Sequence, residues 1–584
     1  MIHLQIILHL FLTLILTEYL SKTSMKKLRL HHPLYFMVDM VLLSMLILFF
    51  YGISGNLPLS IMLPSGLMLA LALAGKIKAD YRQVGFTPVD FLILREAGSM
   101  AGALNPKATG ALLMKTFGIA MVLTLSGIRL ADELLSRFSP INLSPMARIG
   151  MILAFLGVLT LFYLVGPWYQ YRISVYETGS LFYFLSFLRD PPRISIEPKG
   201  DIPTTLSTPP VPLGLDGPDI IILQSESFSD PLNLESAFFN EDPIPFYHAL
   251  QKVSHSFNMS TRAFGGGTVH TEYEILTGLS TLYFPRDTTV FSRYLKRPII
   301  SLGSILKTLG YHTLMLHPYH DWYYNRKTAY RHLGFDEFRT ISAFDPSNTS
   351  YVNDKEINRT ILKELEDKTD QPQLIFAVTM QNHTPYKTME YPHQIRYQGP
   401  AGSLETHQQF NHYLNGLRES DEALQELVQA LSKRKRETIL LFYGDHLPVI
   451  NQDADFYQSS QWSHAPFDSD RYYWDLSLSP GLIWSNQRTL SQGPALMDCT
   501  RVAGQLLGHG KIPHPSYFDE MEDLHLRHNL QGIFRSFLRA SDRMETALSP
   551  TYRTIYRELQ DINQKAFAQH DTHWHVHNTE YTIR

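Results

Sequence analysis

Five apolar runs near the amino terminus constrain this chain more than any other feature of its sequence. The runs are Ile2–Leu20, Leu34–Ile53, Leu57–Ala74, Ala111–Leu130 and Ile149–Tyr163. Most are close to the roughly 20 residues that a helix needs to cross the hydrocarbon core of a bilayer. A cleaved signal peptide would explain the first run only. The sequence therefore predicts an α-helical membrane domain of about five helices.

The rest of the chain is polar enough to offset the apolar N-terminal runs in the mean hydropathy of the whole sequence. The 584 residues are 44% hydrophobic and only 18% charged, yet the mean hydropathy is −0.11. A net charge of −4 excludes a nucleic-acid binder that relies on a global basic field. The single cysteine, Cys499, excludes an intramolecular disulfide framework and a cysteine-based zinc cluster.

Changes in composition divide the chain into four segments. We predict a membrane domain over residues 1–170, a juxtamembrane segment and proline-rich linker over 171–218, an α/β domain over 219–518 and a helical tail over 519–584. The prolines between Pro191 and Pro218 favour an extended, semi-rigid linker. Inside the membrane domain, Phe86–Leu94 is compatible with a short interfacial helix or with an ordinary loop.

Three short apolar runs after the linker predict buried strands. They are Asp219–Gln224, Leu374–Thr379 and Thr438–Tyr443, and a helical pattern, Gly416–Ser432, lies between the last two. Strands that alternate with helices indicate a mainly parallel sheet covered by helices on both faces. Ligands of such sheets bind beyond the carboxyl ends of the strands, so the residues that follow each strand are candidates for a site.

Polar residues follow all three predicted strands. Glu226 comes after the first strand, His383 after the second, and Asp445 and His446 after the third. Carboxylate and imidazole groups together suit a divalent ion such as Mn²⁺ or Zn²⁺. Asp445 and His446 are adjacent, so both reach one ion only if the chain turns, which we expect Gly444 to permit. The alternative is that each residue is a solvated loop residue or a capping group.

A glycine-rich segment leads into a further candidate, Thr268. Gly265, Gly266 and Gly267 allow the backbone to approach a ligand, and Thr268 stands before a predicted helix, Val269–Leu276. A helix N-terminus stabilises anions, and a threonine hydroxyl needs activation, most readily by a metal, to act as a nucleophile. Taken alone, the segment favours a simpler interpretation, in which Thr268 is the N-cap after a flexible turn.

The ordered set of these motifs resembles a known family. Gln224–Phe228, the Thr268 segment, Leu316–Pro318, Tyr324–Asp336 and Tyr443–His446 follow one another at the spacings of the lipoteichoic acid synthase family, within the alkaline phosphatase/sulfatase superfamily. The resemblance implies about five membrane helices followed by an extracytoplasmic, sulfatase-like α/β domain. It covers nearly the whole chain and is strongest from Asp219 to Gly508.

The resemblance also implies roles for individual residues. It assigns metal ligands, usually for Mn²⁺ with Mg²⁺ or Zn²⁺ as alternatives, to Glu226, Thr268, Asp445 and His446. Thr268 also occupies the position at which the family has its nucleophile. Binding of a phosphoglycerol head group is assigned to His317, Arg326 and His383.

The implied activity is transfer of phosphoglycerol from a phospholipid such as phosphatidylglycerol, through a covalent threonine intermediate, to a cell-envelope glycan or polymer. Neighbouring alternatives are a phosphoethanolamine transferase, or a phosphodiesterase or sulfuric-ester hydrolase that uses water. A third alternative is an inactive membrane scaffold. Cys499 lies outside a C-x-P-x-R sequence, which argues against sulfatase chemistry through formylglycine.

The implied location is the plasma (inner) membrane of a bacterium, with several spans. Basic loop residues, among them Lys26, Lys27, Lys76 and Lys78, would place two loops in the cytoplasm and, with five spans, the α/β domain as well. The resemblance instead implies an extracytoplasmic domain, and we adopt that placement. A sixth span or a re-entrant segment near residues 85–105 would reconcile the two.

Overall fold

A computed structural model of the chain shows two compact units, one built from the N-terminal helices and one from residue 217 onward. The residues that it describes are 2–21, 33–82, 114, 116–129, 144–169, 180–186, 217–234, 238–284, 289–344, 351–367, 371–384, 386, 391–399, 402–450, 456–466, 469–534, 536–541, 543–573 and 582–583.

The N-terminal unit is entirely helical over its described residues. Its helices are Ile2–Ser21, Pro33–Ser54, Leu57–Arg82, Thr116–Arg129, Pro145–Tyr169 and Ser180–Ser186. Three stretches are long and apolar enough to cross a membrane: Met37–Ser54, Leu57–Lys76 and Pro145–Leu164. In the first and fourth predicted runs, the helices contain the shorter apolar stretches Leu8–Thr17 and Thr116–Arg129. The predicted helical, apolar character is confirmed, and the number of five spans stays a prediction.

Polar side chains within these apolar helices are turned toward other helices. The His9 ring lies 3.2 Å from the Ser65 hydroxyl and 3.0 Å from the Ser126 hydroxyl. Asp39 is only 3% exposed and accepts a hydrogen bond from the backbone N–H of Phe182. Such groups are costly in hydrocarbon, so their pairing inside the bundle stabilises its packing.

The C-terminal unit is built on strands that we number in chain order. They are β1 Asp219–Ser225, β2 Phe238–Phe239, β3 His255–Ser260, β4 His312–Leu316, β5 Glu337–Arg339, β6 Gln373–Val378, β7 Tyr397–Gln398, β8 Thr438–Gly444, β9 Leu478–Ser485, β10 Leu496–Asp498, β11 Leu530–Ile533, β12 Phe537–Ala540, β13 Arg543–Thr546 and β14 Thr582–Ile583.

Nine of these strands form one sheet in the order β10-β3-β9-β8-β1-β6-β4-β5-β14. All neighbouring pairs are parallel except those of β9, which runs antiparallel to β8 and β3. Every residue of β1 is buried, although successive side chains of a strand point to opposite faces. Both faces of the sheet are therefore covered, as we predicted.

Helices provide this cover. Those of four or more residues are Pro245–Gln251, Thr268–Thr277, Val290–Arg293, Leu302–Thr308, Arg326–His332, Asp354–Asp367, Leu404–Leu431, Phe456–Ser459, Asp470–Ser477, Val502–Gly510, Tyr517–Arg527 and Pro550–His573. On one face, Leu440 and Ile375 of the sheet join Ile361 and Leu417 of two long helices in a single apolar core. Burial of this core supplies the main favourable free energy of the unit.

The predicted strands and helices lie close to the observed ones. The three predicted strands are β1, β6 and β8, each displaced by at most one residue at either end. The helix predicted from Gly416 begins earlier, at Leu404, because Ser403 and Thr406 form a reciprocal capping box there. The tail contains an antiparallel sheet, β11-β12-β13, between its two helices, which the sequence analysis did not predict.

Some expectations fall outside the described residues. Most of the predicted juxtamembrane segment and proline-rich linker lies in residues 170–179 and 187–216, and Phe86–Leu94 also lies outside. The boundaries of the four predicted segments therefore remain predictions.

The long helix Leu404–Leu431 allows a matched test of the core. Leu417 is fully buried, whereas Leu404 in the same helix is 77% exposed. We expect Leu417→Ala to lower the free energy of unfolding by about 2–5 kcal/mol, because it leaves a cavity. We expect Leu404→Ala to change it by less than about 0.5 kcal/mol. Denaturant unfolding followed by tryptophan fluorescence measures both, and equal midpoints would contradict this packing.

Candidate active site

Strand pairing brings together polar residues that are distant in the sequence. β1 and β8 are parallel neighbours, and Ser225 pairs with Gly444 at their carboxyl ends. Glu226 and Asp445 are the next residues of the two strands, so the register places them side by side. One ligand atom from each of Glu226, Asp445 and His446 lies within 4.8 Å of the others. All three residues are at most 3% exposed.

Each of these residues leaves one ligand atom without a hydrogen bond in the part of the chain that the structure describes. The atoms are Glu226 Oε2, Asp445 Oδ2 and His446 Nε2. Their other polar atoms are engaged: Ser227 donates its hydroxyl to Glu226 Oε1 and its N–H to Asp445 Oδ1, and His446 Nδ1 lies 3.0 Å from Leu447 O. An Nδ1–H donated to that carbonyl leaves Nε2 as a metal-binding lone pair.

The electrostatics of this cluster suit a cation. Burial, together with the nearby Asp445 carboxylate, raises the pKa of Glu226 to about 8. Two adjacent buried carboxylates cannot both stay charged without compensation, and a proton supplies it when no cation does. A divalent ion fits the same place, because carboxylate oxygens and an imidazole nitrogen are suitable ligands and the three residues each bring one ligand atom within 4.8 Å of the others.

Two other groups of potential ligands are less suitable. In the first, His312, Glu337 and Glu364, Arg339 already pairs with both carboxylates at 2.7 Å. In the second group, which comprises His393, Glu419 and Glu422, all three residues are partly exposed and the Lys355 ammonium lies 3.6 Å from a Glu422 oxygen. Arg339 and Lys355 already neutralise the negative charge of the carboxylates that would otherwise attract a metal ion.

Gly444 is required for a different reason from the one we expected. Its φ is not positive, so it does not provide a left-handed turn. A Cβ at Gly444 would instead lie 1.9 Å from the carbonyl oxygen of Phe228, which no side chain could tolerate. The left-handed residue of the cluster is Ser227, with φ of 53°. The change of direction therefore occurs after β1, and close packing selects glycine as the last residue of β8.

The glycine-rich segment and the helix that Thr268 begins contact the backbone around Asp445 and His446. Gly265, Gly266 and Gly267 have φ of 61°, 141° and 88°, and the N–H of Gly265 donates to Leu447 O. Thr268 is the first residue of its helix and Gly267 is the N-cap, so the interpretation of Thr268 as the N-cap is wrong. One turn on, the Thr271 hydroxyl donates to Asp445 O at 3.1 Å. The first turn of the helix thus lies against the carboxylate cluster.

His317 lies directly after β4 and is 1% exposed. Burial and the nearby Arg326 guanidinium lower its pKa well below the usual value, so the ring is neutral. Its Nδ1 lies 3.3 Å from Val378 O at the end of β6. With the proton on Nδ1, Nε2 is an acceptor, and it has no hydrogen-bond partner among the described residues.

Arg326 and His383 complete the set of predicted residues. Arg326 begins the helix Arg326–His332, is 1% exposed and influences the pKa values of both Glu226 and His317. His383 follows β6, is half-buried and also acts on the pKa of His317. Its Nδ1 lies 2.6 Å from Thr384 O and 3.2 Å from the Tyr351 hydroxyl. The residues that follow the parallel strands therefore lie at one end of the sheet, and Arg326 is close enough to two of them to change their pKa values.

The structure adds residues that the sequence analysis missed. Glu272 pairs with Arg326, Tyr330 bonds to both, and the rings of Tyr323 and Tyr324 lie 5.9 and 5.2 Å from the guanidinium carbon. Glu272 lies four residues after Thr268, and Tyr330 four residues after Arg326. That helical spacing was the available signal, but it does not identify a partner on another element.

The C-terminal unit is similar to known proteins. The Sulfatase family model matches residues 218–512. A putative cyclic beta-1,2-glucan modification protein of Rhizobium meliloti is 30% identical over 305 residues, which are 51% of this chain and 47% of that protein. Lipoteichoic acid synthase 1 of Bacillus subtilis is 25% identical over 272 residues, which are 43% of this chain and 41% of that protein. The chain thus matches less than half the length of each of these relatives.

A solved structure shares the fold. The Streptococcus pyogenes phosphoglycerol transferase GacH, in complex with sn-glycerol-1-phosphate, superposes with a TM-score of 0.51 at 21% identity. The match covers 62% of this chain and 91% of that chain. Together with the synthase relatives, it confirms the resemblance and the fold class that the sequence predicted.

The carboxylate cluster predicts stabilisation by a divalent cation. We expect Mn²⁺ to raise the unfolding temperature of the full chain in detergent, since a ligand at 100 times its Kd adds about 2.7 kcal/mol. Glu226→Gln and His446→Gln should abolish the shift, because each removes a ligand atom. Glu422→Gln, in the partly exposed cluster, is the matched control and should keep it. A shift that survives in the first two variants would contradict a metal site here.

Proposed function

The chain belongs to the sulfatase family, and we propose that it is a membrane-bound, metal-dependent transferase that moves a phosphoglycerol group from a phospholipid such as phosphatidylglycerol to a cell-envelope glycan or polymer. One observation carries the proposal. Glu226, Asp445 and His446 are buried, bring ligand atoms within 4.8 Å of one another, and each keep one polar atom without a hydrogen bond among the described residues, beside the helix that begins at Thr268. A hydroxyl next to a cation site at a helix N-terminus is suited to phosphoryl transfer.

Glu226, Asp445 and His446, with the Thr268 hydroxyl, would hold the divalent ion. Mn²⁺ is our first expectation, with Mg²⁺ and Zn²⁺ as alternatives. When bound, such an ion lowers the pKa of a neighbouring hydroxyl and offsets the negative charge that develops on the phosphoryl oxygens. Burial of all three side chains excludes water and so strengthens these electrostatic effects.

In the first half-reaction, Thr268 Oγ attacks the phosphorus of the donor diester. The Oγ–P bond forms, the bond between phosphorus and the diacylglycerol oxygen breaks, and that oxygen receives the proton that the threonine gives up. Neutral diacylglycerol leaves, and a phosphodiester joins glycerol to Thr268. The helix N-terminus favours this position for the negative charge of the phosphoryl group.

Arg326 and His317 would bind the group that is transferred. Arg326 Nη1 is a buried donor without a hydrogen bond among the described residues, and we assign it to a phosphoryl oxygen. The neutral His317 ring offers Nε2 as an acceptor, which suits a glycerol hydroxyl better than it suits an anion. His383, near Tyr351, is placed for a further contact with the head group.

In the second half-reaction, a hydroxyl of the acceptor attacks the same phosphorus. The Oγ–P bond breaks, and Thr268 recovers its proton as the acceptor hydroxyl loses one. The printed names of two relatives, a glucan modification protein and a lipoteichoic acid synthase, support a glycan or polymer as acceptor. We propose no smaller class of acceptor from them.

We also propose that the chain is a multi-pass protein of the bacterial plasma (inner) membrane with its C-terminal unit outside the cytoplasm. The apolar helices support the first part, and the use of lipid and cell-envelope substrates supports the second. A reporter that is active only after export, fused after Arg584, should be active. Activity only of a cytoplasmic reporter at the same position would contradict this orientation.

The nucleophile is tested with phosphatidylglycerol labelled in its head-group glycerol. We expect the full chain with Mn²⁺ to release diacylglycerol and to carry the label covalently. Thr268→Ala should lose activity by at least about 1,000-fold and carry no label, because removal of a nucleophile abolishes the covalent route. Thr277→Ala, the same substitution at the end of the same helix, is the control for folding and should retain activity.

The other outcomes identify the alternatives. Equal activity of wild type and Thr268→Ala would refute Thr268 as the nucleophile. Label recovered only as free glycerol phosphate would indicate a hydrolase. A covalent adduct formed only from phosphatidylethanolamine would indicate a phosphoethanolamine transferase.

A further inference from the structure

Arg326 is held by two buried residues in a closed arrangement of hydrogen bonds. Its Nη2 donates to Glu272 Oε1 at 2.5 Å, and its Nε donates to the Tyr330 hydroxyl at 3.0 Å. That hydroxyl in turn donates to Glu272 Oε2 at 2.6 Å. The exposed fractions are 1% for Arg326 and 0% for the other two. All three side chains are therefore fixed by one another.

This arrangement leaves one face of the guanidinium for a ligand. Nε and Nη2 are used, whereas Nη1 is buried and has no hydrogen bond within the described part of the chain. Buried donors in native proteins are nearly always paired, so such an atom marks a place where a ligand or water binds. Because the other two nitrogens are engaged, the direction of Nη1 is set by Glu272 and Tyr330.

Glu272 also lies on the helix that carries Thr268. Residues four apart lie on the same face of a helix, one turn from each other, so the Glu272 side chain extends from the same face as Thr268. The same helix is bonded to the carboxylate cluster through Thr271 and Asp445. The ion pair thus ties Arg326, from a different element, to the helix that holds the nucleophile and contacts the metal cluster.

The backbone before Arg326 is unusual at one residue. Tyr324 and Asn325 have φ of 55° and 58°, a left-handed conformation that asparagine adopts readily but that is rare for a bulky residue such as tyrosine. The rings of Tyr323 and Tyr324 flank the guanidinium and limit its movement further. Without the Glu272 carboxylate, nothing of opposite charge would fix the guanidinium among the contacts described.

We propose that Glu272, assisted by Tyr330, is a positioning residue that sets the distance and direction of Arg326 Nη1 relative to Thr268, and thereby the binding of the phosphoryl group. Neither residue touches the substrate in this scheme. The inference rests on the proposed function for the identity of the transferred group, but its central claim concerns binding of a phosphoryl anion.

The test compares variants of the full chain in detergent, loaded with Mn²⁺, by calorimetric binding of inorganic phosphate and by kcat/KM with phosphatidylglycerol. We expect Glu272→Gln to weaken phosphate binding at least tenfold and to lower kcat/KM by about 100-fold, as a misplaced guanidinium would. Tyr330→Phe should act in the same direction, and it replaces Glu272→Gln if that variant does not fold. The stabilisation by Mn²⁺ should remain in both.

The same helix offers a matched control. Glu274 is also fully buried, two residues further on, and pairs with Arg262 at 2.7 Å, but it belongs to a separate cluster with Asp498 and Cys499. Glu274→Gln should lower the unfolding temperature as Glu272→Gln does, yet change phosphate binding by less than about twofold per folded molecule. Equal effects of the two substitutions on phosphate binding would overturn the proposal.

A double-mutant cycle separates positioning from a general structural role. If Glu272 acts through Arg326, adding Glu272→Gln to Arg326→Gln should weaken phosphate binding by less than about twofold more. A full additive loss would overturn the proposal, and so would a wild type that does not bind phosphate. Phosphate binding that depends on Glu272 and Arg326, without any transfer of phosphoglycerol, would refute the proposed function and leave this inference standing.

Discussion

The site depends on the parallel pairing of β1 with β8, which forces two buried carboxylates together. The register that opposes Ser225 and Gly444 leaves Glu226 and Asp445 no position except beside each other, with His446 next to both. Burying like charges in this way costs free energy unless a proton or a cation compensates them. The fold therefore carries a local free-energy cost at the end of the sheet, which a proton on Glu226 offsets and which a divalent ion would offset in the function that we propose.

The helix Thr268–Thr277 converts that cluster into a site with a defined geometry. Three of its residues bond to three different parts of the unit. Thr271 donates a hydrogen bond to Asp445, Glu272 forms an ion pair with Arg326, and Glu274 forms an ion pair with Arg262. A single helix therefore connects Thr268, the carboxylate cluster and Arg326, which are the three parts that the proposed function requires. Glu274 pairs with Arg262, which also pairs with Asp498, and so anchors the helix through contacts separate from those between Glu272 and Arg326.

Much of this was predictable from the sequence, where local patterns carry the information. The apolar runs of β1, β6 and β8 identified the central strands, and the polar residues after them identified Glu226, His383, Asp445 and His446. Other features were not predictable. The role of Gly444 depends on the carbonyl of Phe228, and the sheet β11-β12-β13 depends on short strands whose pattern is too weak to separate from the helices around it.

The sequence by itself determined the division into apolar helices and an α/β unit, and the residues available at the ends of its strands, because periodicity and burial are local properties of the chain. Only the tertiary structure decided which side chains contact each other at the site. Glu272 and Arg326 are 54 positions apart, and their pairing arises from the packing of two helices. Helical spacing determines on which face of its own helix each side chain lies. Which side chain it meets depends on how the two elements pack together, and this is not a local property of the sequence.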